Sequence, residues 1–77
     1  MKKDNTTYLR LMMDSFAKIK DYIGTMTLKD FLEDGKTQSA VIMQLQVIGE
    51  LAKKVPEEIQ QQVSIPWKQI SGMRDMV

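Results

Sequence analysis

The sequence predicts an all-α fold, a small up-and-down helical bundle in a single domain of 77 residues. Apolar residues return at three- and four-residue steps over 7–23 and again over 37–55, which gathers them on one side of a helix in each stretch. No stretch alternates apolar and polar residues as a half-buried strand would, and both prolines, Pro56 and Pro66, fall outside the two long periodic stretches.

In the first stretch, 7–23, Tyr8, Met12, Ile19 and Ile23 form the apolar stripe with Leu11, Phe16 and Tyr22 beside it, while Arg10, Asp14, Lys18 and Asp21 fall on the other side. Thr6 or Thr7 can cap its start, and Gly24 suits the position just past its end. Thr27 followed three residues later by Asp30 is a capping box with the shorter acid, opening a brief helix that carries Leu28, Phe31 and Leu32. Gly35 is expected to end it.

The stretch 37–55 is apolar on more than one face. Val41, Leu45, Ile48, Ala52 and Val55 make one stripe, whereas Met43, Val47, Glu50 and Lys54 line up as a second at four-, three- and four-residue steps. Gln44 lies between Val41 and Ile48 and is expected to be a hydrogen-bonded polar group of the core, or else to line a cleft. A domain this short cannot easily cover both apolar sides of one helix, so Met43 and Val47 are the candidate surface of a two-fold homodimer. Glu50, on the same stripe, is either an active-site or interface carboxylate or an ordinary surface acid.

Pro56 is placed to open a short helix over 56–62, with Glu57 and Glu58 at its positive N-terminal end. Residues 63–67 read as a turn, and 68–70 as a single helical turn that Ser71 and Gly72 interrupt before a new helix begins over 73–77. Trp67 could stack on a base, but a lone tryptophan in a small domain is more often a core or interface anchor.

Composition excludes several chemistries. With no cysteine and no histidine there is no disulfide, no thiolate or imidazole metal site and no Cys/His or Ser/His nucleophile. Eleven basic and ten acidic residues leave a net charge of +1, too little for strong nonspecific attraction to a polyanion. The acids Asp30, Glu33, Asp34, Glu57 and Glu58 read as solvated helix ends, so no metal and no cofactor is implied. The basic group of Lys2, Lys3 and Arg10 reads as solvated too. No apolar run approaches the roughly 20 residues of a membrane span, and the first residues lack the apolar centre of a signal peptide, so a soluble cytoplasmic protein with no membrane partner is expected.

Three segments together carry a family resemblance: FLEDGKTQSAVIMQLQVIGELAKKVPEE (31–58), IPWKQISGMRD (65–75) and, less specifically, YLRLMMDSFAKIKDYI (8–23). They resemble the HepT-like family of the HEPN superfamily, helical proteins encoded beside small nucleotidyltransferases in prokaryotic toxin–antitoxin pairs. The motif of that family runs arginine, asparagine or aspartate, three variable residues, histidine, one variable residue, tyrosine. Arg74 and Asp75 match its first two positions, but the histidine and tyrosine would fall five and seven residues after Arg74 and the sequence stops three residues after it. The resemblance therefore implies a HEPN-like bundle lacking its final helix or helices, incomplete at its C-terminal end.

It further implies a metal-independent endoribonuclease in complete form, with RNA as substrate and a nucleotidyltransferase antitoxin as partner. The histidine would move protons, Arg74 would stabilise charge on the phosphoryl oxygens, and the tyrosine would be where the partner adds AMP. Arg74 is thus the candidate catalytic residue, with Gln44, Glu50 and Asp75 as candidates for the RNA cleft. Without the histidine the chain is expected to be inactive. The alternative is a non-catalytic substrate-binding or regulatory partner of a nucleotidyltransferase.

Overall fold

A computed structural model describes residues 6–75. Five helices follow one another: α1 (Thr7–Ile23), α2 (Leu28–Leu32), α3 (Gly35–Lys54), α4 (Glu57–Gln62) and α5 (Trp67–Gly72), the last running into a 3-10 turn, Met73–Asp75. Helices α1 and α3 pack against each other as the long pair. They are antiparallel, because the Lys54 ammonium at the end of α3 lies 5.8 Å from the ring centroid of Tyr8 at the start of α1. The expected up-and-down arrangement is present.

The core forms where the two apolar stripes meet. Met12, Ile48, Ala52 and Val55 are buried together, with Tyr8, Leu9, Ile19, Leu45, Leu51 and Ile59 packed around them. Val41 is also buried, so the first of the two stripes on α3 faces α1, while Met43 and Val47 of the second are exposed. Burying the larger of these side chains, Met12, Ile48 and Val55, contributes about 1.5–3 kcal/mol each and holds the two helices together. Ser15 sits on the same face of α1 and is only 4% exposed. The apolar periodicity did not mark it; a small side chain at that point lets α1 approach closely.

Local chemistry explains where elements begin and end. At the end of α1, Gly24 takes a positive φ of 53° and its N–H returns to the carbonyl of Lys20, as expected of a glycine past a helix end. The capping box is formed: Asp30 N–H donates to Thr27 Oγ1 and Thr27 N–H to Asp30 Oδ2, both at 3.1 Å. Thr6 precedes α1 without capping it through its side chain; its Oγ1 instead accepts from the Arg10 Nη2 at 3.2 Å.

Three boundaries differ from the sequence expectation. Gly35 does not end α2 but opens α3, which starts two residues earlier than expected, because Asp34 is an N-cap. Its Oδ1 accepts the Thr37 N–H at 3.0 Å and its Oδ2 the Thr37 hydroxyl at 2.6 Å. The amide of Gln38 then donates to the carbonyls of Phe31 and Leu32 at 2.8 and 3.0 Å, tying the end of α2 to the start of α3. Pro56 precedes α4 as its N-cap residue and is not its first helical residue. Finally, α5 continues through Ser71 and Gly72 into the 3-10 turn, where an interruption was expected. The expectations for Lys2, Lys3 and the end of 73–77 lie outside the described residues. Among the described residues no helix is long and apolar enough to cross a membrane.

Ile48 is fully enclosed whereas Leu45 is only half-buried. Ile48→Ala should therefore cost about 2–5 kcal/mol and Leu45→Ala less; urea denaturation curves check the order, and equal midpoints for parent and Ile48→Ala would contradict this core. The Thr37 hydrogen bonds hold the Asp34 carboxyl below the usual carboxylate range. Its folded pKa being depressed, the stabilisation is fully present above that range and is lost as pH falls through the lowered value. Hydrogen exchange at the Thr37 amide should stay protected down through the ordinary carboxylate range and lose protection only below it.

Candidate functional site

Arg74 and Asp75, the two residues of the expected motif, lie in the 3-10 turn at the far end of a chain of hydrogen bonds that starts on α3. The last carbonyls of a helix have no partner within it. Here Gln60 of α4 supplies one, its Nε2 donating to the carbonyls of Ala52 and Val55 at 3.2 Å each. The indole of Trp67 in turn donates to the carbonyls of Gln60 and Val63 at 3.0 and 2.9 Å. Trp67 is half-buried against the core, so it anchors α5 and does not stand as a free stacking platform.

From that anchor α5 lies along α3, with Ile70 and Met73 packed on the core cluster. The approach is closest at Gly49. A Cβ placed there would stand 2.5 Å from the Arg74 backbone nitrogen, 2.9 Å from the Ile70 carbonyl oxygen and 3.2 Å from the Met73 carbonyl carbon. All three are backbone atoms, which cannot swing aside as a flexible side chain could, so only glycine permits this contact.

Gly49 carries its neighbour Glu50 to the same place. Arg74 Nη1 lies 3.6 Å from Glu50 Oε2, and Arg74 Nε lies 3.5 Å from Asp75 Oδ1. These ion pairs are longer than good hydrogen bonds and face water, since the side chains of Arg74, Glu50 and Asp75 are 41, 53 and 79% exposed. Each is worth about 0–1 kcal/mol, too little to hold the turn but enough to bias where the guanidinium points. With one carboxylate 3.5 Å from Nε and another 3.6 Å from Nη1, Nη2 is the nitrogen that neither ion pair takes up, and its N–H groups are donors of the kind an oxyanion accepts.

Of the residues singled out from sequence, Arg74, Glu50 and Asp75 are thus brought together. Gln44 is not part of that group. It is half-buried and lies six residues before Glu50, roughly 9 Å along the helix axis. Met43 and Val47 are 63 and 39% exposed on the side of α3 turned away from α1. Asp30 and Asp34 serve as helix caps, and among the described residues no group of three or more His, Cys, Asp or Glu is placed to hold a metal ion. Gly49 escaped the sequence reading. Its signal was a glycine inside a 20-residue helix, a position that costs about 1 kcal/mol relative to alanine and therefore points to a close approach.

A sequence model of the family described as Ribonuclease HepT-like matches residues 12–77. Among curated relatives, "Putative RNase MJ0127" of Methanocaldococcus jannaschii is 41% identical over 96% of this chain and 62% of its own length. "Probable ribonuclease HepT" of Thermococcus cleftensis is 36% identical over 97% of this chain and 69% of its own length. The chain thus spans somewhat under two thirds of the first of these relatives. No solved structure matches it.

The close contact at Gly49 can be tested against a glycine without one. Nothing lies within 4 Å of a Cβ built at Gly72. Gly49→Ala should destabilise by about 1–3 kcal/mol, whereas Gly72→Ala should be neutral or stabilising by up to about 1 kcal/mol. Thermal melts of the two variants beside the parent distinguish them, and equal melting temperatures would count against the contact.

Proposed function

Because the chain belongs to the HepT-like ribonuclease family, we propose that it is the part of a metal-independent endoribonuclease that presents Arg74 to the attacked phosphate of RNA. The observation that supports the reading is the placement of the Arg74 guanidinium beside Glu50 and Asp75, with the Arg74 side chain 41% exposed. Cleaving a phosphodiester needs two things: charge on the phosphoryl oxygens must be stabilised, and protons must leave the attacking hydroxyl and reach the departing oxygen. Arginine supplies the first, being charged at any physiological pH and forked to match two oxygens.

The second requires a group that exchanges a proton near neutrality, which is what the histidine of the family motif would supply. The 77 residues contain no histidine. The chain by itself is therefore proposed to be inactive, and a longer form with histidine and tyrosine five and seven residues after Arg74 to be active. A toxin–antitoxin role in the cytoplasm follows the same reading, with a nucleotidyltransferase that adds AMP to the tyrosine as partner. Met43 and Val47 support a homodimer, since an exposed methionine and valine on the outer face of the longest helix are surface that a second copy could cover.

Three proteins incubated with RNA in excess EDTA test the catalytic reading: the 77-residue chain, the longer form, and the longer form with Arg74→Ala. Cleavage is expected from the longer form alone, because acid–base help is worth about 10²- to 10⁴-fold and loss of the oxyanion contact about 10²- to 10³-fold. Robust cleavage by the short chain would overturn the mechanism, and an inactive longer form would count against a ribonuclease. For the dimer, Val47→Lys should lower the association seen in sedimentation without lowering the melting temperature of the protomer, since the lysine would lose its water only at an interface. A parent that stays monomeric at micromolar concentration removes the dimer.

A further inference from the structure

Building on the ribonuclease reading, we infer that Gly49 and Glu50 together are the seat of Arg74: Gly49 sets how close its backbone lies to α3, and Glu50 fixes the direction of its guanidinium. Neither residue belongs to the arginine-to-tyrosine motif, and both come from α3, the helix that also supplies Ile48 and Ala52 to the core.

The two halves of the seat act differently. At Gly49 the constraint is steric: the Arg74 nitrogen stands 2.5 Å from where a Cβ would be. That contact fixes the starting point of the side chain. The chain of an arginine is long and rich in rotamers, so a fixed backbone alone leaves the guanidinium free to sweep over the surface. Glu50, the next residue on α3, meets Nη1 at 3.6 Å. Asp75 meets Nε at 3.5 Å, but it moves with the same turn as Arg74 and cannot register that turn against the helix. Glu50 is the one of the two carboxylates that ties the guanidinium to the scaffold.

Among the described residues neither carboxylate pairs with Nη2, so the arrangement restrains the guanidinium at Nε and Nη1. This is a positioning role, exercised through Arg74, and it needs no contact between Glu50 and substrate. At about half exposure, the pair contributes little to overall stability. Losing it should loosen the guanidinium without unfolding the chain.

Arg10 and Arg74 are the two arginines of the sequence, so nitrogen-15 labelling gives two side-chain Nε–H signals, and an Arg74→Lys sample assigns them. In the parent the Arg74 signal should show a rigid heteronuclear NOE. In Glu50→Gln and Glu50→Ala the NOE should be lost while the Arg10 signal and the melting temperature stay as in the parent; Glu50→Asp should restore it in part. Gly49→Ala should lose it as well, with Glu50 still present. If Gly49→Ala does not fold, the Glu50 series decides alone.

An Arg74 NOE that is equally rigid in Glu50→Ala would overturn the inference, and so would one that is already mobile in the parent. Adding a single-stranded oligouridylate to the parent separates the two proposals. If the Arg74 signal depends on Glu50 yet the oligonucleotide leaves it unmoved, the seat stands and the ribonuclease reading fails.

Discussion

Helix α3 has no side chain at Gly49, and the backbone of the turn that carries Arg74 occupies the space left there, closer than any Cβ would allow. That single close approach determines how α5 lies on α3, and so which residues of α3 can reach the guanidinium. Glycine in a helix interior weakens the helix by roughly 1 kcal/mol. Here α3 offsets that loss through its buried neighbours Ile48 and Ala52, which pack on Met12 of α1. The most enclosed part of the core and the contact that seats Arg74 are therefore adjacent along one helix, and a disturbance of either is felt by the other.

What delivers the turn to Gly49 is a sequence of polar contacts together with the packing of Ile59, Trp67, Ile70 and Met73 on the core. Helices α4 and α5 have six residues each, too short to be stable alone. Gln60 closes the end of α3 by donating to two carbonyls, and Trp67 closes the end of α4 with its indole N–H. Each satisfied pair is worth about 0.5–1.5 kcal/mol, but leaving those carbonyls half-buried without a donor would cost more. The short helices are ordered because they complete the hydrogen bonding of the long one.

The charges of the site oppose its proposed ligand as much as they help it. Two carboxylates flank one guanidinium, so the immediate surroundings of Arg74 carry a net negative charge, and the chain as a whole carries only +1. Affinity for a polyanion cannot come from the overall field. An arginine with carboxylates beside two of its nitrogens suits a role in which direction matters more than tight binding, as the proposed stabilisation of charge in a transition state does. The outward stripe of Met43 and Val47 is a separate feature, on the side of α3 turned away from α1.

By itself the sequence determined the helices and their facing sides. The stripe of Val41, Leu45, Ile48, Ala52 and Val55 was legible because the hydrophobic effect is periodic along a helix. The capping box of Thr27 and Asp30 was legible because its partners are three residues apart, and the family because Arg74 and Asp75 stand in a recognisable run of residues. Boundaries were less legible: whether Gly35 ends one helix or begins the next turned on the Asp34 carboxylate finding Thr37. What only the tertiary structure decided is which distant residues meet. Glu50 and Arg74 are 24 positions apart, and nothing periodic links them. Their meeting depends on α4 and α5 folding back along α3 and on a missing Cβ at Gly49, and contacts between elements are set by how the chain closes on itself, not by the local preferences that a linear pattern records.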